Sequence, residues 1–272
     1  MSRQPIPFAR LEARQGIAWL RQAYAMFRHA PLAWLLLLFT YYLLVALAEF
    51  GPWARIGQIV APVLKPLFAV GFLAAAWTQE RGGSPKFEHL FRGFRSNLYA
   101  LIPLGIVFLV GMTLALLATR LVDGGALIAV LSGAEKPTEA MLAGGQLEIA
   151  MVFGSLCALP TLLALWFAPA LVVFRDAGAV IALGTSLMAA LANWRPIAVY
   201  GLVVFALGGM LPSLVLTIAQ MLFGDAVVGL LAMFLVVPYL FAFMATLHIS
   251  DYVSYRDVFH AGEPTTPATA PG

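Results

Sequence analysis

One lysine, Lys65, stands inside a long apolar run of this 272-residue chain, with Pro62 and Pro66 close on either side. An ammonium placed at the centre of a membrane-spanning helix costs about 2.5–3.5 kcal/mol on insertion scales, and proline frees backbone groups from the helix ladder. The combination is a candidate site for an anion or a lipid headgroup. The competing reading is that Lys65 lies near the end of its run and extends its ammonium to the interface. His248 and Asp251, three residues apart, form a second candidate. An imidazole titrates near neutrality and can handle protons, but such a pair also commonly forms the polar end of an apolar helix. His29, His89, His248 and His260 are scattered without metal-ligand spacing, so no metal is expected. There is no glycine-rich phosphate loop, nucleophile elbow or HExxH sequence, and each of those chemistries depends on its motif. No catalytic residue and no cofactor are expected, and the chain reads as a non-enzyme.

The strongest charge pattern is Arg10, Arg14, Arg21 and Arg28. At 100° per residue these fall in one narrow stripe, opposite Gly16, Trp19, Leu20, Ala23, Met26 and Phe27. An arginine stripe facing an apolar face predicts a helix over 10–29 lying in the membrane interface. The expected partners of those arginines are anionic headgroups, each basic residue contributing about 1 kcal/mol. A plain orientation signal would need the same residues.

Those side chains must be carried by a membrane fold. The composition is 62% hydrophobic and 11% charged, with mean hydropathy +0.91; soluble domains carry about 25% charge. Apolar runs longer than ~18 residues fit helices crossing a ~30 Å core, and periodicity gives no sign of alternating strands, so a helical bundle is preferred over an outer-membrane barrel. The chain has thirteen Arg and three Lys, and all but Lys65 flank the spans, a placement that suits topology and headgroups rather than nucleic acid. Cys157, the one cysteine, lies in an apolar run and reads as a small hydrophobe. The basic start is too long and too helical for a cleaved signal peptide.

Spans are predicted at about 32–49, 57–79 (broken early by Pro62 and Pro66), 98–119, 148–174 (kinked by Pro160 and Pro169), 197–222 and 226–248. A second amphipathic helix is expected from Pro85 with Ser84 as cap, and a third, nearly apolar, over 176–193 with Asp176 as cap. The third is the one expected to lie under its neighbours. Short helices are expected at 126–131 and in the PTEAML run. The result is an all-α polytopic bundle of six transmembrane helices in three hairpin units (10–80, 81–174 and 175–250), each preceded by an amphipathic interface helix. Residues 1–9 read as a flexible start and 251–272 as a disordered tail. Twelve basic residues flank the side bearing the termini against three on the other, so both termini are expected in the cytoplasm.

The stretches FAPALVVFRDAGAVIALGTSLMAALANWRPIAVYG (167–201) and RGGSPKFEHLFRGFRSN (81–97) resemble uncharacterised proteobacterial six-pass inner-membrane proteins. More distantly, the alternation of lead-in helix and hairpin is similar to the membrane domain of some glycerophosphoryl diester phosphodiesterases. The first resemblance implies an inner-membrane location and no activity; the second lacks the catalytic barrel with its metal ligands. The expected function is a structural, lipid-interacting or accessory membrane role. The alternative is a small permease whose pathway passes Lys65 and the proline-bearing spans.

Overall fold

The computed structural model describes residues 6–260 apart from 137, 139, 140, 142 and 143. Six of its helices are long and apolar enough to cross a membrane: Pro31–Phe50, Ala54–Glu80, Leu98–Asp123, Gln146–Arg175, Trp194–Phe223 and Asp225–Phe259. Numbered one to six, these spans form three hairpins. The lead-in helices are Gln15–His29, a 3₁₀ helix Phe87–Arg95 and Ala179–Ala192. The chain enters and leaves at one end of the bundle, its base, where Ala9 donates its N–H to the Val258 carbonyl at 2.8 Å.

The core gathers at that base. Trp19, Trp34, Leu67, Leu90, Leu101 and Ile249 are among its fully buried side chains. Toward the far end the third hairpin is left largely uncovered, with Phe205, Met210, Met221, Phe234 and Leu235 exposed. An apolar face of a spanning helix needs no protein cover, because lipid tails are as apolar as leucine. Covered faces are required only where lipid does not reach.

All three lead-ins therefore pack on protein. The face predicted for the first is the buried one: Gly16, Trp19, Leu20, Ala23 and Phe27 lie against the start of span five and the end of span six. A Cβ on Gly16 would stand 2.2 Å from the Pro196 carbonyl oxygen, so only glycine permits the contact. The 3₁₀ helix meets span two backbone to backbone, a Cβ on Gly93 falling 2.1 Å from the Leu67 carbonyl oxygen. Ser84 does not cap it; instead Lys86 N–H donates to His89 Nδ1 at 2.8 Å. Asp176 likewise ends span four in the left-handed region (φ 49°), and Gly178 is the residue that precedes the third lead-in.

Other expectations shift. Helix runs unbroken through Pro62 and Pro66. Span four runs unbroken through Pro160 and is interrupted at Phe167, two residues before Pro169, which falls in the first turn of the helix that resumes. There the Ser186 hydroxyl enters the ladder, accepting from Phe167 N–H at 2.9 Å and donating to the Leu163 carbonyl at 3.0 Å. A side chain inserted between ladder partners is a sufficient cause of a helix break. In spans five and six the backbone widens into π-turns at Ala206–Met210 and Ala232–Val236, just before Pro212 and Pro238. Each proline lacks an N–H and its ring crowds the carbonyl four residues back, a clash the wider turn relieves. Tyr239 Oη donates to the Leu207 carbonyl there at 2.8 Å.

The two ends also differ from expectation. Residues 251–259 are helix, not tail, since Tyr252, Val253, Tyr255, Val258 and Phe259 are buried against the first lead-in and its neighbours. Residues 6–9 are held by Val258 and Asn193. Helix forms at Ala126–Leu131 as expected. The PTEAML run, the first five residues and the tail from 261 fall wholly or partly outside the described residues.

Candidate functional site

Between the two halves of the bundle runs a slot of about 320 Å³, with walls from spans two to six. Ala69 and Leu73 come from span two, Phe108 from span three, and Leu162, Leu165 and Pro169 from span four. Trp166 and Tyr200 stand edge to face at 5.4 Å and close it toward the base, with the buried Trp19 ring 6.1 Å behind Tyr200. Span five has little contact with spans three and four, so the slot opens sideways toward the lipid-facing halves of the helices.

Asp251 is the one carboxylate among the residues lining this wall. It sits more than two turns inside the final helix, rather than at its end as the sequence suggested, because the helix continues to Phe259. His248 Nδ1 is 3.9 Å from its Oδ2. The imidazole stacks on Phe72 at 4.1 Å and meets the Tyr41 ring edge-on, so it backs the carboxylate without lining the slot. Ser250, next in line, donates to the Leu247 carbonyl at 2.7 Å and takes the Tyr200 hydroxyl at the same distance. Tyr200 Oη is thus committed to protein. The slot offers a carboxylate, a ring edge and apolar surface.

Lys65 lies one turn from Ala69 on span two, its ammonium 4.6 Å from the centre of the Phe108 ring. A cation over an aromatic face is stabilised by about 0.5–2 kcal/mol. Phe108 lines the slot, so Lys65 neighbours that wall without lining it, whereas Asp251 is part of the wall. The structure therefore places Asp251 on the slot wall with His248 behind it, and ties Lys65 to the same slot only through Phe108.

It disperses the arginine stripe. The first lead-in begins at Gln15, leaving Arg10 and Arg14 on the preceding segment. The backbone there is occupied elsewhere, Leu11 N–H donating to Asn193 Oδ1 at 2.8 Å and Asn193 Nδ2 to the Ala9 carbonyl at 2.9 Å. Arg14 pairs with Glu12 at 2.7 Å, and Arg28 lies over the Tyr24 ring at 5.9 Å. All four arginines remain exposed at the base. Tyr200, Trp166 and Asn193 were not legible as site or scaffold residues. For Asn193 and Ser186 the signal was polarity on a nearly apolar helix.

Across 263 residues, 94% of this chain and 95% of the relative, the sequence is 32% identical to a probable inner membrane protein of Burkholderia thailandensis. No protein-family model matches the chain, and no solved structure matches it.

Proposed function

We propose a lipid-binding accessory role for this chain, which belongs to the same family as that Burkholderia inner membrane protein. The role is non-enzymatic, with both termini in the cytoplasm and the exposed Arg10, Arg14, Arg21 and Arg28 against anionic headgroups of that leaflet. The twelve-to-three bias of basic residues toward the base supports this orientation. The architectural likeness to the phosphodiesterase membrane domain belongs to the same reading and brings no activity with it.

The observation that carries the proposal is the slot itself: its lining is apolar apart from Asp251, the Trp166–Tyr200 ring pair stands across its base side, and span five leaves spans three and four largely untouched beside it. A solute pathway needs polar lining and continuity across the membrane. A sideways apolar slot suits an acyl chain entering from the bilayer. The test is phospholipid retained by purified protein after detergent exchange. Ala69→Phe fills the slot, and the reading requires it to retain less lipid than the native chain while keeping its helical circular dichroism. Equal retention would sink the reading.

One observation favours a second reading. Asp251 on the slot wall gives a cationic amphiphile a counter-charge, as a permease for such solutes would need. Uptake of a lipophilic cation into vesicles, lost in Asp251→Asn, would favour transport; uptake equal to empty vesicles rules it out.

A further inference from the structure

A larger groove, about 590 Å³, lies at the base between the 3₁₀ lead-in and the end of span four. A 3₁₀ helix has three residues per turn, so side chains three apart stand in file. His89, Arg92 and Arg95 form such a file along the groove. Both ring nitrogens of His89 are engaged, Nδ1 by Lys86 N–H at 2.8 Å and Nε2 by Thr78 Oγ1 at 3.2 Å. The file therefore presents two guanidinium groups. Asp176, in its left-handed turn after span four, and Glu88 supply negative charge to the same groove.

These opposite charges do not neutralise each other. Among the described residues the side chains of Arg92, Arg95 and Asp176 make no hydrogen bond or ion pair, while Glu88 has an exposed contact with Lys86 at 3.9 Å. Exposed pairs of that kind contribute little. A ligand carrying both charges would satisfy the two sides at once. Depth adds a further constraint. The groove is bounded by Asn97, which caps span three, and by Val172 and Val173 of span four. It thus sits where the spans leave the hydrocarbon, with apolar surface on the membrane side.

We propose that this groove holds the headgroup of a zwitterionic phospholipid of the phosphoethanolamine class. The phosphate lies against Arg92 and Arg95, whose planar forks match its oxygens, and the primary ammonium lies against Asp176 with Glu88 beside it. The assignment rests on the lipid-binding reading and names the headgroup at a site separate from the slot.

The experiment titrates detergent-purified protein with short-chain phosphatidylethanolamine, short-chain phosphatidylglycerol and soluble phosphoethanolamine. The native chain should bind phosphatidylethanolamine about tenfold more tightly than phosphatidylglycerol, a difference of about 1.4 kcal/mol. The double variant Arg92→Gln/Arg95→Gln should lose about tenfold for both lipids. Asp176→Asn should abolish only the preference, since asparagine tolerates the left-handed backbone. Equal native binding of the two lipids overturns the proposal, as does an unchanged preference in Asp176→Asn. Competition by phosphoethanolamine as effective as that of the lipid would also overturn it, by making the ligand a soluble phosphate ester. Absence of the preference in the native chain, with slot lipid still retained, defeats this inference alone. Absence of any retained phospholipid defeats the lipid-binding reading beneath it.

Discussion

Phe167 gives its backbone N–H to the hydroxyl of Ser186 rather than to its own helix, at 2.9 Å and with both residues buried. This one bond joins span four to the third lead-in at the point where span four breaks. It also holds Trp166 and Pro169, on either side of the break, at the closed end of the slot.

Ser186→Ala should lower stability by about 1–3 kcal/mol, because it leaves the buried Phe167 N–H and Leu163 carbonyl without a partner. Ser155→Ala is the control, since that hydroxyl is exposed and bonds only to the Met151 carbonyl of its own helix. Denaturant unfolding in detergent should separate the two variants; matching curves would show that the break is held by something else.

Two glycines should respond with opposite sign. Gly93→Ala pushes a methyl into the Leu67 carbonyl and should cost about 1–3 kcal/mol. Gly184→Ala, in an exposed helical position with open space around it, should stabilise by about 0.5–1 kcal/mol. Thermal unfolding of the purified variants reads both.

Arg256 ties three elements at the base. It bonds Glu80 of span two, Gln22 of the first lead-in at 2.7 Å and the neighbouring Asp257 at 2.6 Å, while Tyr252 also donates to Glu80. Arg256→Gln should cost about 1.5–3 kcal/mol, the range for hydrogen bonds to charged groups. In a double-mutant cycle with Glu80→Gln the combined loss should be smaller than the sum of the single losses. Additive losses would mean that the two side chains act independently.

Orientation can be read with single cysteines in a Cys157→Ser background. Ser132→Cys, at the far end of the bundle, should react with an impermeant maleimide in intact spheroplasts. Ser84→Cys, at the base, should react only after permeabilisation. The reverse pattern would place the termini outside the cytoplasm.

Much of the fold was legible because it is written locally. The apolar face of the first lead-in, from Gly16 to Phe27, is the buried face, and the hairpin order follows the apolar runs. The site was less legible. Lys65 and Asp251 are 186 positions apart, and only packing through Phe108 and the slot walls relates them. The reading of 251–272 as a tail failed over 251–259 for a related reason. Asp251, Ser254, Arg256 and Asp257 make that stretch look polar, yet Arg256 and Asp257 find partners on distant elements, and Tyr252, Val253, Tyr255, Val258 and Phe259 around them are buried.

The sequence by itself determined how many helices cross the membrane and in what order, because transfer of a run into hydrocarbon is a nearly additive property of its residues. Tertiary structure alone decided which apolar faces meet protein and which meet lipid. It decided that the lead-ins pack their apolar faces on the core, and that the slot and the charged groove exist at all. A side chain of leucine or tryptophan gains nearly the same by leaving water for either surroundings. The pattern of apolar residues therefore carries no mark of the difference, and only shape complementarity between distant segments settles it.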